Sequence, residues 1–284
     1  MKSFAVIPLL AAIVVTAQSS SPLIPSGISD GCTKFLTALN EDASLQSCTG
    51  PVISATSKFI GANATASPSS ADVKTALDAV CGSTCSDGPV RSKISDFYQA
   101  CTAELTSSKN PDVLMLYDTI YSMIPLKNAV CAKDDSGNYC VGQVAAKIPA
   151  SSLYTSVGSG TQTVLKPSAD AFKTNNIAFL LLQASTPKEQ LCTSCARSVL
   201  TSFVSWESSV PYAPGIAQSN ILSGQTDLYT TVTNTCGANF LSGAVQAAGG
   251  LSGGILSDSS DATHTMVGAV GAVVGAIAAA AVML

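Results

Sequence analysis

Ten cysteines constrain the fold of this chain of 284 residues more than any other feature of its sequence. They stand at Cys32, Cys48, Cys81, Cys85, Cys101, Cys131, Cys140, Cys192, Cys195 and Cys236. An even number of cysteines in a secreted chain predicts disulfide bonds, each of which stabilises a domain by about 2–4 kcal/mol. Ten cysteines can pair in about 945 ways, so the sequence predicts up to five bonds and leaves their pattern open.

The amino-terminal residues predict that the chain is secreted. Lys2 supplies a positive charge, residues 4–15 are apolar, and Val15-Thr16-Ala17 is a small-residue cleavage site before Gln18. The apolar run is too short to cross a membrane. We therefore expect residues 1–17 to be a signal peptide and the Ser/Pro-rich residues 18–28 to be a disordered lead-in.

Residues 266–284 are apolar throughout and predict attachment of a glycosylphosphatidylinositol (GPI) lipid. Such a signal needs small residues at the attachment site, a polar spacer of about 8–12 residues and an apolar tail of about 10–20. Ser252 and Ser257 are both suitable attachment residues. A retained membrane span is the alternative, but it normally ends in Lys or Arg, which are missing here. We expect 242–257 to be a Gly/Ser-rich stalk and 258–284 to be removed.

Between these ends, residues 29–241 predict a mainly α, disulfide-stapled domain with long loops. Apolar residues recur at helical spacing in several segments. We expect helices near 30–39, 72–81, 89–105, 111–124, 188–206 and 227–236. For residues 141–168 the pattern leaves short strands and a long loop both open, and 177–182 is an apolar run expected to be buried.

Prolines mark several expected boundaries. Gly50-Pro51 predicts a turn, and Pro125 predicts the end of a helix. Thr186-Pro187-Lys188-Glu189 predicts a capping box with Pro187 as the first helical residue and Glu189 as part of the cap. The Asp-Asp-Ser-Gly-Asn run at 134–138 predicts a turn rather than a calcium loop, because the calcium-binding spacing of acidic residues is not met.

The shortage of histidine excludes much chemistry. The one histidine, His264, lies beyond both attachment candidates, so the mature chain would lack Ser-His-Asp and Cys-His catalysis and the usual zinc-hydrolase ligands. We expect neither a metal nor a cofactor. The net charge of −4 and the scarcity of Lys and Arg argue against nucleic acid as a partner. Cys192-Thr193-Ser194-Cys195 has the spacing of a redox or zinc motif, but structural disulfides are favoured in an oxidising compartment.

A wall-glucan hydrolase would need two carboxylates that face each other across a cleft. Nothing in the spacing of the acidic residues singles out such a pair. The residues considered for it are Glu41, Glu104, Glu189, Glu207, Asp118 and Asp134. Asn63, in the sequon Asn63-Ala64-Thr65, predicts an exposed, glycosylated loop.

The segment 117–141 resembles a family of fungal secreted, cysteine-rich and often GPI-anchored proteins of unknown function. The resemblance is centred on Cys131-Ala-Lys-Asp-Asp-Ser-Gly-Asn-Tyr-Cys140 and extends by cysteine spacing to the pair Cys192 and Cys195 and to Cys236. It implies a protein of the fungal cell surface or wall. It implies no catalytic residues, because none are established for the family.

These features predict a GPI-anchored protein on the outer face of the plasma membrane or in the cell wall, with a structural or interaction role and no catalysis. Its expected partners are the membrane, through the lipid, and wall glucan. The alternative is a binder of a small apolar ligand such as a lipid, a sterol or haem, and a wall-glucan enzyme is the third hypothesis. The oligomeric state is left open.

Overall fold

The protein folds mainly into helices, as the sequence predicts, and the computed structural model describes residues 24–56, 69–144, 154–157 and 164–241. The helices in chain order are α1 (Asp30–Asn40), α2 (Gln46–Thr56), α3 (Ser70–Gly82), α4 (Asp87–Ala100), α5 (Thr102–Leu105), α6 (Pro111–Cys131), α7 (Val141–Val144), α8 (Ala169–Asn175), α9 (Lys188–Leu191), α10 (Ser194–Ser209) and α11 (Gln225–Cys236). Strands β1 (Tyr154–Val157) and β2 (Val164–Pro167) form an antiparallel pair. Short strands are therefore present within residues 141–168, for which the sequence pattern was consistent with either short strands or a long loop.

Helix α6 is the centre of the core because most of its surface is buried. An amphipathic surface helix buries one stripe, whereas α6 buries residues on every side. Its buried residues are Val113, Leu114, Met115, Leu116, Tyr117, Asp118, Thr119, Ile120, Tyr121, Ser122, Ile124, Pro125, Leu126, Ala129 and Val130. Helices α4 and α10 pack most extensively against it, and α3, α5 and the 3₁₀ turn Ile177–Phe179 pack beside them.

Two boundaries predicted from proline are wrong. Helix α6 continues through Pro125 to Cys131, and α2 continues through Gly50 and Pro51 to Thr56. A proline inside a helix costs about 3 kcal/mol. Contacts between distant parts of the chain offset that cost, because Pro125 is buried in the core and the Cys81–Cys131 bond ties the end of α6 to α3.

The predicted capping box is also wrong. Pro187 precedes α9 and makes no side-chain cap, and the Thr186 hydroxyl instead accepts the Gln183 N–H at 2.9 Å. Glu189 lies within α9 and does not cap it. The helix expected over 188–206 is divided into α9 and α10, and Thr193 caps α10 by accepting the Ala196 N–H at 3.1 Å.

All ten cysteines form disulfide bonds, which confirms the predicted stapled domain. The pairs are Cys32–Cys101, Cys48–Cys85, Cys81–Cys131, Cys140–Cys195 and Cys192–Cys236. The first six cysteines pair among themselves, as do the last four, and the packing of α10 on α6 joins the two groups. Because Cys192 and Cys195 bond to different partners, they are not the dithiol that a redox motif requires.

Several expectations concern residues at the two ends of the chain or in the loop that contains Asn63. The signal peptide, Asn63, Ser252, Ser257, His264 and the apolar tail lie outside the described residues. The lead-in 18–28 is described from residue 24, and there Ile24 and Ile28 pack against the core. Within the described ranges, no helix combines the length and apolarity needed to cross a bilayer.

The buried turn that follows α8 has an unfavourable backbone conformation. Leu180 and Leu181 have φ angles of 51° and 70°, in the left-handed region that side chains with a Cβ disfavour. Asn176, at the start of the turn, fixes its far end by donating a hydrogen bond from Nδ2 to the Leu182 carbonyl at 3.0 Å. Gly224 lies directly against the Asn176 side chain, so the turn depends on the absence of a side chain there.

We expect the substitution Gly224→Ala to lower the free energy of unfolding by about 2 kcal/mol, because a Cβ at this position would lie 2.1 Å from Asn176 Oδ1. The Asn176 side chain would have to move and give up its bond to Leu182. Urea unfolding measures the change. Gly88→Ala in α4 is the control, since nothing lies within 4 Å of its Cβ, and it should be neutral or stabilising. Equal effects of the two substitutions would contradict this role for Gly224.

Candidate functional site

A groove of about 640 Å³ opens on the surface where α4, α6 and α10 meet. Its volume is within the range of about 300–1,000 Å³ that is usual for ligand sites. Helix α4 supplies its start, α6 its last turns and α10 most of its length. The residues that line it are Cys85, Asp87, Arg91, Ile124, Lys127, Asn128, Ser194, Arg197, Ser198, Thr201, Ser202, Ser205, Trp206 and Ser209.

Helix α10 presents a row of hydroxyl groups to this groove. The row exists because α10 is strongly amphipathic, with Cys195, Val199, Leu200 and Phe203 buried on its other side. Its hydroxyl residues follow at helical spacing: Ser194, Ser198, Thr201, Ser202, Ser205 and Ser209. This spacing is visible in the sequence, but sequence reasoning did not single it out.

Three cations line the groove. The Arg91 guanidinium lies 4.8 Å from the centre of the Trp206 ring and donates to the Ser209 carbonyl and hydroxyl at 3.3 and 3.1 Å. Lys127 Nζ donates to the Ser83 carbonyl at 2.5 Å, and burial lowers its pKa. Arg197 lies over the Phe240 ring at 5.0 Å. Sequence reasoning missed these residues because they come from separate helices.

Among the described residues that line the groove, one carboxylate, Asp87, is present, and it pairs with Arg91 at 3.3 Å. The two-carboxylate arrangement of a glycoside hydrolase is therefore not met by these residues. The hydroxyl and cationic groups of the lining are suited to binding a ligand through hydrogen bonds and charge.

The buried carboxyl of Asp118 lies elsewhere, inside the core. Asp118 accepts hydrogen bonds from the Tyr212 hydroxyl and, at 2.7 Å, from the Asn220 N–H. Burial raises its pKa to about 7, against the opposing effect of these hydrogen bonds. Its contacts tie the segment between α10 and α11 to α6, so its role is to hold the fold.

Glu207 is a second carboxyl whose pKa burial raises to about 7. Its Oε2 accepts a hydrogen bond from Gln225 Nε2 at 2.6 Å, which links α10 to α11. Neither Glu207 nor Asp118 lines the groove. Perturbed carboxyls often mark active sites, but these two act between packed helices.

The other carboxylates that were considered from the sequence lie at separate positions, and none of them lines the groove. Glu41 follows α1 and Glu189 lies in α9, both exposed, and Asp134 accepts the Ser136 N–H at 2.9 Å in the predicted turn. Glu104 is buried and accepts the Ser29 N–H at 2.6 Å. It lies beside the sulfurs of Cys32 and Cys101, but those sulfurs are joined in a disulfide and are not free to bind a metal.

Comparisons with protein-family models, with curated proteins and with solved structures found no match for this chain.

Proposed function

We propose that this chain is a non-catalytic interaction protein, held at the outer surface of a cell or in its wall by a GPI anchor. The single observation that carries the interaction role is the groove between α4, α6 and α10. The signal peptide, the apolar tail and the resemblance to fungal surface proteins supply the expected location.

The lining of the groove supports binding rather than turnover. Hydroxyl and cationic groups dominate it, and these groups recognise polar ligands by hydrogen bonds and charge. The hypothesis of an apolar ligand has less support, since sites for such ligands are lined mainly by apolar side chains. In this groove Ile124, Trp206 and Cys85 are the apolar exceptions among the described lining residues.

Release from intact cells tests the location. Separate samples are treated with buffer, with phosphatidylinositol-specific phospholipase C or with wall glucanase, and the protein is measured in each supernatant. Phospholipase should release a membrane-held GPI protein, and glucanase should release one that has been joined to wall glucan. Free protein in buffer alone would contradict the anchor.

A variant that lacks residues 266–284 is the matched control. Without the apolar tail the GPI signal is lost, so this variant should enter the medium without any enzyme. If the intact chain stays on cells but resists both enzymes, the tail is a retained membrane span.

A further inference from the structure

We propose that the groove binds an anionic carbohydrate, namely a sugar chain that carries phosphate or carboxylate groups. This inference rests on the proposed surface-binding function and adds the chemical class of the ligand. It is carried by two independent features of the lining, its charge and the way its hydroxyl protons are used.

The charge of the groove is opposite to that of the chain. Three cations, Arg91, Lys127 and Arg197, face one carboxylate, Asp87, among the lining residues, whereas the whole chain has a net charge of −4. The Asp87–Arg91 pair is exposed and therefore weak, so it does not prevent Arg91 from binding another anion. Guanidinium groups match the paired oxygens of carboxylate and phosphate.

Three of the six hydroxyl groups of α10 that line the groove have their protons engaged within the helix and offer acceptors to a ligand. Thr201 and Ser202 donate their protons to the Arg197 and Ser198 carbonyls at 2.8 and 2.9 Å, and Ser209 donates to the Trp206 carbonyl at 3.0 Å. A serine hydroxyl whose proton is engaged still accepts through its oxygen. The ligand must then bring donors of its own as well as negative charge. A carboxylate ion offers acceptors only, whereas an acidic sugar offers both.

The length of the row favours a chain over a single sugar. Ser194 and Ser209 are fifteen residues apart in α10, which is about 22 Å along the helix axis. Three of the described lining residues, Cys85, Ile124 and Trp206, have apolar side chains, and this small number disfavours a peptide, whose own side chains would need apolar pockets. The groove therefore selects a ligand that is extended, hydroxylated and negatively charged.

Calorimetric titration of the full chain, purified in detergent, tests the ligand class. The probes are oligogalacturonate, its neutral methyl ester, a phosphorylated mannan oligosaccharide, the same oligosaccharide after phosphatase treatment, and inorganic phosphate. We expect one or both charged chains to bind, more weakly at high salt, and their neutral forms to bind at least about tenfold more weakly. Comparing the carboxylated chain with the phosphorylated chain shows which of the two anionic groups the groove binds.

Substitutions locate the binding. Arg197→Ser and Lys127→Gln should each weaken binding by about tenfold, because each removes a charged hydrogen-bond donor. Lys74→Gln, an exposed cation of α3 that pairs with Asp78 outside the groove, is the control and should leave binding unchanged. Thermal unfolding confirms that each variant is folded, and Arg197 is exposed, so its replacement leaves the core intact.

Three results would overturn the ligand class: equal binding of charged and neutral chains, equal affinity in the groove variants, or binding of inorganic phosphate as tight as that of the chains. Failure of every sugar to bind a protein that enzymes release from the cell surface would also overturn it, while leaving the surface location intact. A protein found free in buffer would instead contradict the proposed location, whatever it binds.

Discussion

Replacing Asp118 with alanine is expected to lower the free energy of unfolding by about 4 kcal/mol and the melting temperature by about 10 °C. Asp118 is fully buried on α6 and accepts hydrogen bonds from the Tyr212 hydroxyl and the Asn220 N–H. Without the carboxyl, two inward-facing donors lose their acceptor and a cavity remains. Thermal and urea unfolding measure the loss.

Two further variants make this prediction specific. Asp118→Asn keeps the volume and one acceptor but turns an N–H₂ group toward donors, so it should lose stability to an intermediate extent. Asp96→Ala, on the exposed side of α4, should change the free energy of unfolding by less than about 0.5 kcal/mol. A loss below about 1 kcal/mol for Asp118→Ala would mean that the segment between α10 and α11 is held by other contacts.

The anchoring role of Asp118 shows what a sequence can and cannot predict. The apolar spacing around Val113 and Ile120 correctly predicted α6, because helical periodicity is a local property of the chain. The partners of Asp118 lie about a hundred residues away, at Tyr212 and Asn220, and no local pattern connects them. Asp118 also lies off the apolar stripe that predicted α6, so helical periodicity alone would place it at the surface rather than in the core.

The helix boundaries were predicted wrongly for a similar reason, because contacts with distant parts of the chain do not appear in a local sequence pattern. Pro51, Pro125 and Pro187 were interpreted by local preference, which predicts that a helix ends near a proline or begins at one. Burial and disulfide bonds carry α2 and α6 through their prolines, and the Thr186 hydroxyl finds a partner outside α9. Local preferences amount to a few kcal/mol, which packing of a core helix can exceed.

The groove could be anticipated only in part. The hydroxyl row of α10 is periodic in sequence, so a search for polar as well as apolar periodicity would have found it. The cations Arg91, Lys127 and Arg197 belong to three helices, and their convergence follows from the packing of α4 and α10 on α6. The disulfide pattern was open for the same reason, since pairing depends on which helices meet.

The stability of the protein should fall as the pH rises from 5 to 8. Burial raises the pKa values of Asp118 and Glu207 to about 7, so the folded state holds protons that the unfolded chain releases near pH 4. Where the folded state binds more protons, the free energy of unfolding decreases with pH, by at most about 1.4 kcal/mol per pH unit for each group. The groups that face them, Tyr212 and Asn220 on Asp118 and Gln225 on Glu207, are neutral over this range.

Carboxyls with lowered pKa values affect the stability of the protein over a different pH range. The hydrogen bond from Lys93, together with bonds from Ser44, lowers the pKa of Asp42 to about 2. The stability that Asp42 contributes is present above pH 4 and is lost only as the pH falls toward 2. The two effects therefore do not overlap between pH 5 and 8, and together they place maximal stability at about pH 4–5.

Glu207→Gln isolates one half of the pH effect. The amide is neutral at every pH and can still accept the hydrogen bond from Gln225. The variant should therefore match the parent near pH 4, where the unfolded chain also begins to hold this proton, and should melt at an increasingly higher temperature than the parent as the pH rises to 8. Glu41→Gln, at the exposed end of α1, is the control and should match the parent at both pH values. Melting curves at pH 4, 5, 6, 7 and 8 test this. If the parent melted at the same temperature throughout, Asp118 and Glu207 would be charged in the folded state, and burial would not set their protonation.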